Sequence, residues 1–404
     1  MLDYRENIAT RMFFIYWTIF ISYNILGVIS ISMRIIAGQI LYYYAWLYAL
    51  ILFLLHLLKN DWPESNEANN SRFFVVIFII IIFSAIVTGN SDQTFDDNTG
   101  NIYTFLSLLV FISCENLVVI NKKTLKTLYW LNFIFCCSLI LLSRSELAYA
   151  IDKSSLGLYA RDYNYLTLGF ANPNSAAMIL VSCFAILLLM IKTSKRSFLL
   201  YPFLVYLYFL IYLTGSRTSF FVATGLFIVV LLLGKIKLNP KYFIVFGVCV
   251  VPIAFTFILT YMYDNDIYRN MEIFGKSIYS GREKLFSEIM SGTGDLVNVI
   301  FGDLKKYPFT NCHNGPLSIY AATGIFGLIT YYWFLMGKLV GRCKIIEYNT
   351  ARFALIALAL IYANSMAEAV FIIGGSTFTL MIFTLHILTR AKIDMIYKEE
   401  EHEQ

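Results

Sequence analysis

Apolar runs long enough to cross the hydrocarbon core of a bilayer, which takes about 20 helical residues, recur along almost the whole chain. Backbone amides inside a bilayer must be bonded within the protein, so runs of this kind fold as helices. The chain has 404 residues and only 14% of them are charged, whereas soluble domains have about 25%. We therefore predict an all-α, polytopic membrane helix bundle that forms a single integral membrane domain over 1–404.

The apolar runs predict roughly twelve transmembrane helices. The expected helices cover 12–31, 35–58, 72–88, 101–120, 125–143, 175–191, 198–214, 217–234, 242–262, 315–337, 353–372 and 376–390. A large loop over 263–314 separates the ninth and tenth helices, and residues 391–404 form a charged tail. The first run belongs to this series, so we interpret it as a retained helix and not as a cleaved signal peptide.

The basic residues predict the orientation, because cytoplasmic loops of membrane proteins are enriched in Lys and Arg. Placing the N-terminus in the cytoplasm assigns most basic clusters, such as 122–126 and 192–196, to cytoplasmic segments. Among the short external loops only Arg34 is basic, and the external loop at 89–100 contains three aspartates. Both termini and the 391–404 tail are therefore expected in the cytoplasm, and the even-numbered helices are expected to begin outside.

Three polar segments lead directly into even-numbered helices at their external ends. They contain Asn172 and Asn174 before the sixth helix, Ser216 before the eighth and Asn314 before the tenth. Asn and Ser are favoured N-cap residues, so Asn172, Ser216 and Asn314 are expected to cap these helices. The three helix starts should therefore face one compartment.

A fourth polar segment, 280–286, lies in the large loop. It is expected to open a short amphipathic helix that carries Leu285, Phe286 and Ile289 on one face. Helix N-termini favour anions, and the guanidinium groups of Arg217 and Arg282 can hold phosphate oxygens in pairs. These features predict an external anion site. The alternative is snorkelling to lipid headgroups for Arg217 and a solvated surface charge for Arg282.

His313 and Glu368 are the candidate acid–base residues. His313 is the one histidine placed outside, and a neutral imidazole can accept a proton from a hydroxyl group. Glu368 is expected in the outer part of the eleventh helix, where a carboxylate needs a partner or a wet cavity. A purely structural role is the alternative for both residues.

Metal chemistry is weakly indicated. Asp264 and Asp266 form a DxD pattern, but two carboxylates are too few to hold a divalent ion tightly. The seven cysteines include no CxxC pair, so neither a zinc site nor a disulfide framework is expected. We predict no metal site and no cofactor.

Taken together, these motifs resemble the bacterial O-antigen polymerase and O-antigen ligase superfamily. The matching segments are 172–174, 214–218, 280–282, and His313-Asn314 followed by 324–327. The resemblance covers about 165–330 by motif and the remainder by topology. Relatives often have tryptophan four residues after the loop arginine, where this chain has Phe286.

The resemblance implies a GT-C-like fold in the bacterial inner membrane and an inverting, metal-independent glycosyltransferase with an external active site. The implied donor and acceptor are oligosaccharides on undecaprenyl pyrophosphate; membrane lipids and a chain-length regulator are further candidate partners, and nucleic acid is not. In this scheme Arg217 and Arg282 hold the pyrophosphate and His313 acts on the acceptor hydroxyl. Asn172, Asn174, Ser216 and Asn314 shape the site, and Arg161 and Glu368 are additional candidates.

The sequence leaves the acceptor open. A polymerase extends another lipid-linked repeat and makes O-antigen or capsular polysaccharide, whereas a ligase transfers the glycan to lipid A core. Polymerase is favoured by the divergent, aromatic-rich composition alone. A transporter or flippase for the same lipid is the third reading; it would require polar residues deep within several helices, and most helix interiors are apolar.

Overall fold

The computed structural model describes residues 4–58, 99–154, 166–170, 172–193, 197–232, 238–267, 272–273, 276–277, 283–291, 296–304, 307, 313–343, 349–368 and 376–390. These residues are almost entirely helical. Their one pair of strands, β1 (Glu272–Ile273) and β2 (Lys276–Ser277), is antiparallel and two residues long on each side.

The helices follow the predicted order. They are α1 (Tyr4–Ile29), α2 (Ile31–Leu57), α3 (Thr99–Ser113), α4 (Lys122–Ser154), α5 (Pro173–Thr193), α6 (Tyr201–Leu213), α7 (Arg217–Leu232), α8 (Pro240–Asp264, with a π-helical turn at Val245–Val250), α9 (Glu283–Ser291), α10 (Leu296–Phe301), α11 (Gly315–Cys343), α12 (Asn349–Ala363) and α13 (Ser376–Arg390). Short 3₁₀ turns follow α3, precede α6 and follow α12. The helix predicted at 72–88 and the 391–404 tail lie outside the described residues.

Six of the described helices, α1, α2, α4, α5, α8 and α11, are long and apolar enough to cross a membrane. Five shorter apolar helices accompany them. Large apolar side chains remain exposed on the outside of the bundle, including Tyr43 and Leu50 on α2 and Trp333 on α11. Lipid solvates such surfaces, whereas a soluble monomer rarely exposes large contiguous apolar patches. The described part of the chain is thus a helical bundle suited to a membrane.

Helix α5 forms the centre of the bundle. In the most apolar 18-residue stretch of α5, 83% of the residues are buried within the protein, whereas 33% are buried in the corresponding stretch of α1. Helix α5 is therefore surrounded by other helices, and α1 keeps an outward face. Because α5 begins at Pro173, the rigid central helix fixes the position of Asn172 and Asn174.

Several predicted helix boundaries are wrong. Helix α1 begins at Tyr4, eight residues before the predicted start at 12, and α11 continues to Cys343, six residues beyond the predicted end at 337. Helix α4 continues to Ser154, eleven residues beyond the predicted end at 143, because 144–154 contains no Gly or Pro and helix-forming residues such as Leu147 and Ala148. Helices α3 and α12 end early, at Ser113 and Ala363. A 3₁₀ turn follows each of these ends. The polar side chains in the two turns bond to other helices: Glu115 contacts Lys338 and Arg342 of α11, and Asn364 donates to Ser219 of α7.

The large loop docks onto the first half of α11. Phe286 and Ile289 of α9 are fully buried against Leu317 and Ala321 of α11, with Leu285 packed beside them, as the amphipathic pattern predicted. A second contact between the loop and α11 is a backbone hydrogen bond from the N–H of Asp303 to the carbonyl of Ala321, at 2.8 Å.

Glycine permits this docking. Gly324 interrupts α11 with φ 66°, and Gly302 at the end of α10 has φ 73°. A Cβ on Gly324 would overlap the carbonyl of Ile300, and a Cβ on Gly302 would lie 2.5 Å from the amide nitrogen of Gly324. The two backbones can meet only because neither residue has a side chain. This accounts physically for a glycine in the 324–327 motif.

Candidate functional site

The starts of three helices converge on one short turn, 364–368, which follows α12. Asn364 opens the turn and its carbonyl accepts the N–H groups of Ala367 (3.0 Å) and Glu368 (3.1 Å). Glu368 was expected inside a helix; that prediction is wrong, because the helix ends at Ala363 and Glu368 lies beyond the 3₁₀ turn. The turn projects its carboxylate towards the helix starts instead of along a helix face.

Glu368 pairs with His313. Both carboxylate oxygens lie 3.1 Å from Nδ1 of His313, and Nδ2 of Asn174 donates to Oε1 at 2.7 Å. The Glu368 side chain is 4% exposed and that of His313 is 35% exposed, so the carboxylate is sequestered while the imidazole reaches the surface of the site. The structure therefore brings together three predicted site residues from distant parts of the chain.

The backbone of His313 is in the left-handed region, with φ 54°. Non-glycine residues rarely adopt this conformation, and strained residues of this kind cluster at functional sites. Here the conformation precedes Asn314, which caps α11 by accepting the N–H of Leu317 at 2.9 Å. Nδ2 of Asn314 also donates to the carbonyl of Met366 at 3.1 Å, so the residue after the histidine is fixed to the same turn as Glu368.

The other two helix starts are fixed in comparable ways. Asn172 caps α5 by accepting the N–H of Ser175 at 2.8 Å, as predicted. Ser216 occupies the N-cap position of α7, but the prediction that it caps the helix is wrong: its hydroxyl donates to the Ser219 hydroxyl at 3.1 Å and accepts no N–H from the described backbone. Asn364 donates to the same Ser219 hydroxyl at 2.9 Å, which ties the start of α7 to the turn.

Of the three arginines predicted for the site, only Arg217 is among the described residues. Arg217 is the first residue of α7, directly after the buried Ser216, and is half-buried at the same end of the bundle as Glu368. Arg161 and Arg282 lie outside the described residues. Of the DxD pair, Asp264 accepts a bond from Ser287 at 2.7 Å and Asp266 follows the end of α8 with φ 53°.

Glu146 is a residue that sequence reasoning missed, because residue 146 was assigned to a loop and lies on the extended α4. Its carboxylate accepts the N–H groups of Thr167 (2.6 Å), Leu168 (3.2 Å) and Gly169 (3.3 Å). It therefore organises the turn that leads to Asn172. The available signal was a lone carboxylate just after an apolar run, with no basic residue three or four positions away.

Arg34 of α2 holds the same turn from its other side. One of its terminal nitrogens donates to the carbonyl of Leu168 at 3.0 Å, and the side chain is 8% exposed. Its guanidinium lies over the rings of Tyr23 and Phe170, at 4.8 and 5.1 Å from the ring centroids. A bond from the N–H of Leu166 to the carbonyl of Leu213, at 3.3 Å, also connects the 166–170 turn to the end of α6.

A second polar cluster lies at the opposite end of α11 from His313. Glu115 is buried there beside Lys338 (3.1 Å), Arg342 and His386 (3.4 Å). Nε2 of His386 is also 2.9 Å from the hydroxyl of Tyr362. The cluster joins α3, α11, α12 and α13, and it shows that the helix ends hold more buried charge than the apolar sequence suggested.

The arrangement around Glu368 can perform base chemistry. A carboxylate on Nδ1 stabilises the tautomer that carries its proton there, and Nε2 is then the nitrogen that accepts a proton. The negative charge of Glu368 also stabilises the imidazolium that forms. Helix starts at α5, α7 and α11 direct backbone N–H groups towards the same end, which favours an anionic ligand beside the histidine.

No protein-family model matches the chain, and the comparisons with curated proteins and with solved structures likewise find no match.

Proposed function

We propose that this chain is a glycosyltransferase that polymerises lipid-linked oligosaccharide repeats on the external face of a bacterial plasma membrane. The observation that carries the proposal is the His313–Glu368 pair at the convergence of three helix starts. A base and an anion-favouring environment at one membrane boundary suit a reaction in which a hydroxyl attacks and a lipid pyrophosphate leaves. The motif resemblance, a GT-C-like bundle of about twelve membrane helices and cytoplasmic termini belong to the same proposal.

In the proposed reaction the acceptor hydroxyl oxygen attacks the anomeric carbon of the donor sugar. The carbon–oxygen bond to the lipid pyrophosphate breaks, the anomeric configuration inverts and the hydroxyl proton passes to Nε2 of His313. Glu368 stabilises the resulting imidazolium, and Asn174 holds the carboxylate in place. Arg217 and Arg282, with the helix starts, offset the charge on the departing pyrophosphate, which lowers the barrier to its departure.

The test uses the purified full-length chain in nanodiscs with an undecaprenyl-pyrophosphate-linked repeat. We expect a ladder of longer glycans on a gel, formed equally in EDTA because arginines and helix starts replace a metal ion. Strict dependence on added Mg²⁺ or Mn²⁺ would overturn the metal-independent mechanism and would favour Asp264 and Asp266 as ligands.

A second arm of the same experiment supplies lipid A core as the acceptor. Transfer of the glycan to the core without lengthening would identify a ligase and contradict the polymerase assignment. A separate reconstitution into sealed vesicles tests transport: appearance of unmodified substrate on the opposite side, with no glycan transfer, would identify a transporter.

A further inference from the structure

Arg34 is a buried cation whose hydrogen-bonding capacity is mostly unused. It is 8% exposed, and among the described residues its side chain makes one hydrogen bond, to the carbonyl of Leu168. Its Nε and second terminal nitrogen have no hydrogen-bond partner among the described residues. A guanidinium has five N–H donors, and a buried one that lacks an anionic partner strongly destabilises its surroundings.

The carboxylate that holds the same turn does not supply this partner. Both oxygens of Glu146 accept bonds from Thr167, and they also accept from the backbone of Leu168 and Gly169. Tyr23 and Phe170 present rings to Arg34, which accommodate a cation but contribute no formal charge. Among the described residues, therefore, no carboxylate pairs with this guanidinium.

Gly169 leaves room for an anion to approach. It is exposed, it has φ 68°, and a Cβ there would lie 2.9 Å from the central guanidinium carbon of Arg34 and would overlap one terminal nitrogen. The guanidinium thus lies directly beneath the surface at a residue that has no side chain. Leu168, which accepts the Arg34 bond, is six positions before Asn174, so at most about 20 Å of chain joins it to the residue that holds Glu368.

We propose that Arg34 binds a phosphate of the lipid-linked donor and so forms a subsite on the α2 side of the turn. This inference rests on the proposed function, which supplies the pyrophosphate. A planar guanidinium can hold two phosphate oxygens at once. Lipid phosphates lie at the boundary between the bilayer and water, where the proposed subsite lies. The turn 166–170 then connects the phosphate subsite to Asn174 and the His313–Glu368 pair.

The test measures equilibrium binding of undecaprenyl pyrophosphate to the full-length protein in nanodiscs of phosphatidylcholine, with phosphatidylglycerol and undecaprenol as alternative ligands. We expect Arg34→Gln to weaken undecaprenyl pyrophosphate binding about tenfold, as loss of a charge-assisted bond does, and to leave undecaprenol binding unchanged. Arg11→Gln, which removes an exposed arginine of α1, is the matched control and should bind as the wild type does.

Gly169→Ala is a second variant, needed in case the Arg34→Gln protein fails to fold. It keeps the charge of Arg34 but displaces the guanidinium, because the added Cβ would overlap it. It should weaken the same ligand in the same direction. Unchanged affinity in both variants would overturn the subsite, and a loss confined to phosphatidylglycerol would identify a phospholipid site and overturn the donor assignment. A wild-type protein that bound no undecaprenyl pyrophosphate would instead contradict the proposed function itself.

Discussion

One carboxylate at the convergence of the helix starts is presented by a turn and not by a helix. The Glu368 carboxylate accepts a hydrogen bond from Asn174 and lies beside the imidazole of His313, and its backbone N–H donates to the carbonyl of Asn364. Its position makes it the centre of the candidate site, although the sequence analysis ranked it no higher than several other residues. Burying an ionised carboxylate to 4% exposure costs free energy unless partners stabilise its charge, so the groups that contact Glu368 indicate its role.

Glu368→Gln tests that role directly. Glutamine keeps an oxygen that can accept from Asn174 but removes the charge that stabilises the His313 imidazolium. We expect glycan transfer to fall about 100-fold, the lower range for loss of general base catalysis, at normal protein level. Rates with the lipid-linked repeat would be compared with those of Glu288→Gln, whose side chain is 59% exposed on α9 and pairs only with Lys284 among the described residues. Equal rates in the two variants would show that Glu368 is structural.

At the residue scale, sequence chemistry predicted the caps better than the partners. Asn172 and Asn314 cap their helices because an amide oxygen before a helix start has a local and well-defined bond to make. The contact between Glu368 and Asn174 joins residues 194 positions apart. No local pattern encodes such a pair, and neither Glu146 nor Arg34 could be linked to the 166–170 turn without the fold.

At the scale of single elements, apolar length located the described helices outside the large loop, and both ends of α13, but it missed the ends of several others. Composition could not show that α4 extends to Ser154 or that α12 stops at Ala363. The difference matters for function, since the extension of α4 presents Glu146 and the early end of α12 releases Glu368 from the helix. Helix ends depend on competition between helix bonds and side-chain bonds, and tertiary contacts decide that competition.

The kink in α11 gives the sharpest prediction for an element. Gly324→Ala introduces a side chain at φ 66° and into the carbonyl of Ile300, so we expect it to destabilise the protein by about 1–3 kcal/mol and to loosen the loop. Gly337→Ala in the same helix is the matched control. No atom lies within 4 Å of its added Cβ, so it should be neutral or stabilise slightly. Thermal unfolding in detergent measures both, and equal melting temperatures would contradict the packing argument.

At the scale of the whole molecule, the two polar clusters lie at opposite ends of the bundle. The His313–Glu368 pair precedes α11, and the group around Glu115 contacts the final turns of the same helix at Lys338 and Arg342. The starts of α5, α7 and α11 meet at the first end, which agrees with the alternation that the basic residues predicted for even-numbered helices. The structure thus relates the two ends, while the compartment that each end faces stays a prediction from charge.

Topology reporters decide which compartment each end faces. Fusions after Lys123, Lys195, Lys237 and Lys344 should report cytoplasm, and fusions near Asp96, Asp152 and Gly294 should report the outside, because basic residues concentrate in the first set of segments. The Asp152 fusion is informative since α4 spans 33 residues, or about 50 Å, and its last turns should extend beyond the bilayer. A cytoplasmic signal there, with an outside signal at Lys195, would place His313, Glu368 and Arg34 inside the cell. That result would remove the external lipid pyrophosphate from the proposal while leaving the geometry of the His313–Glu368 pair unchanged.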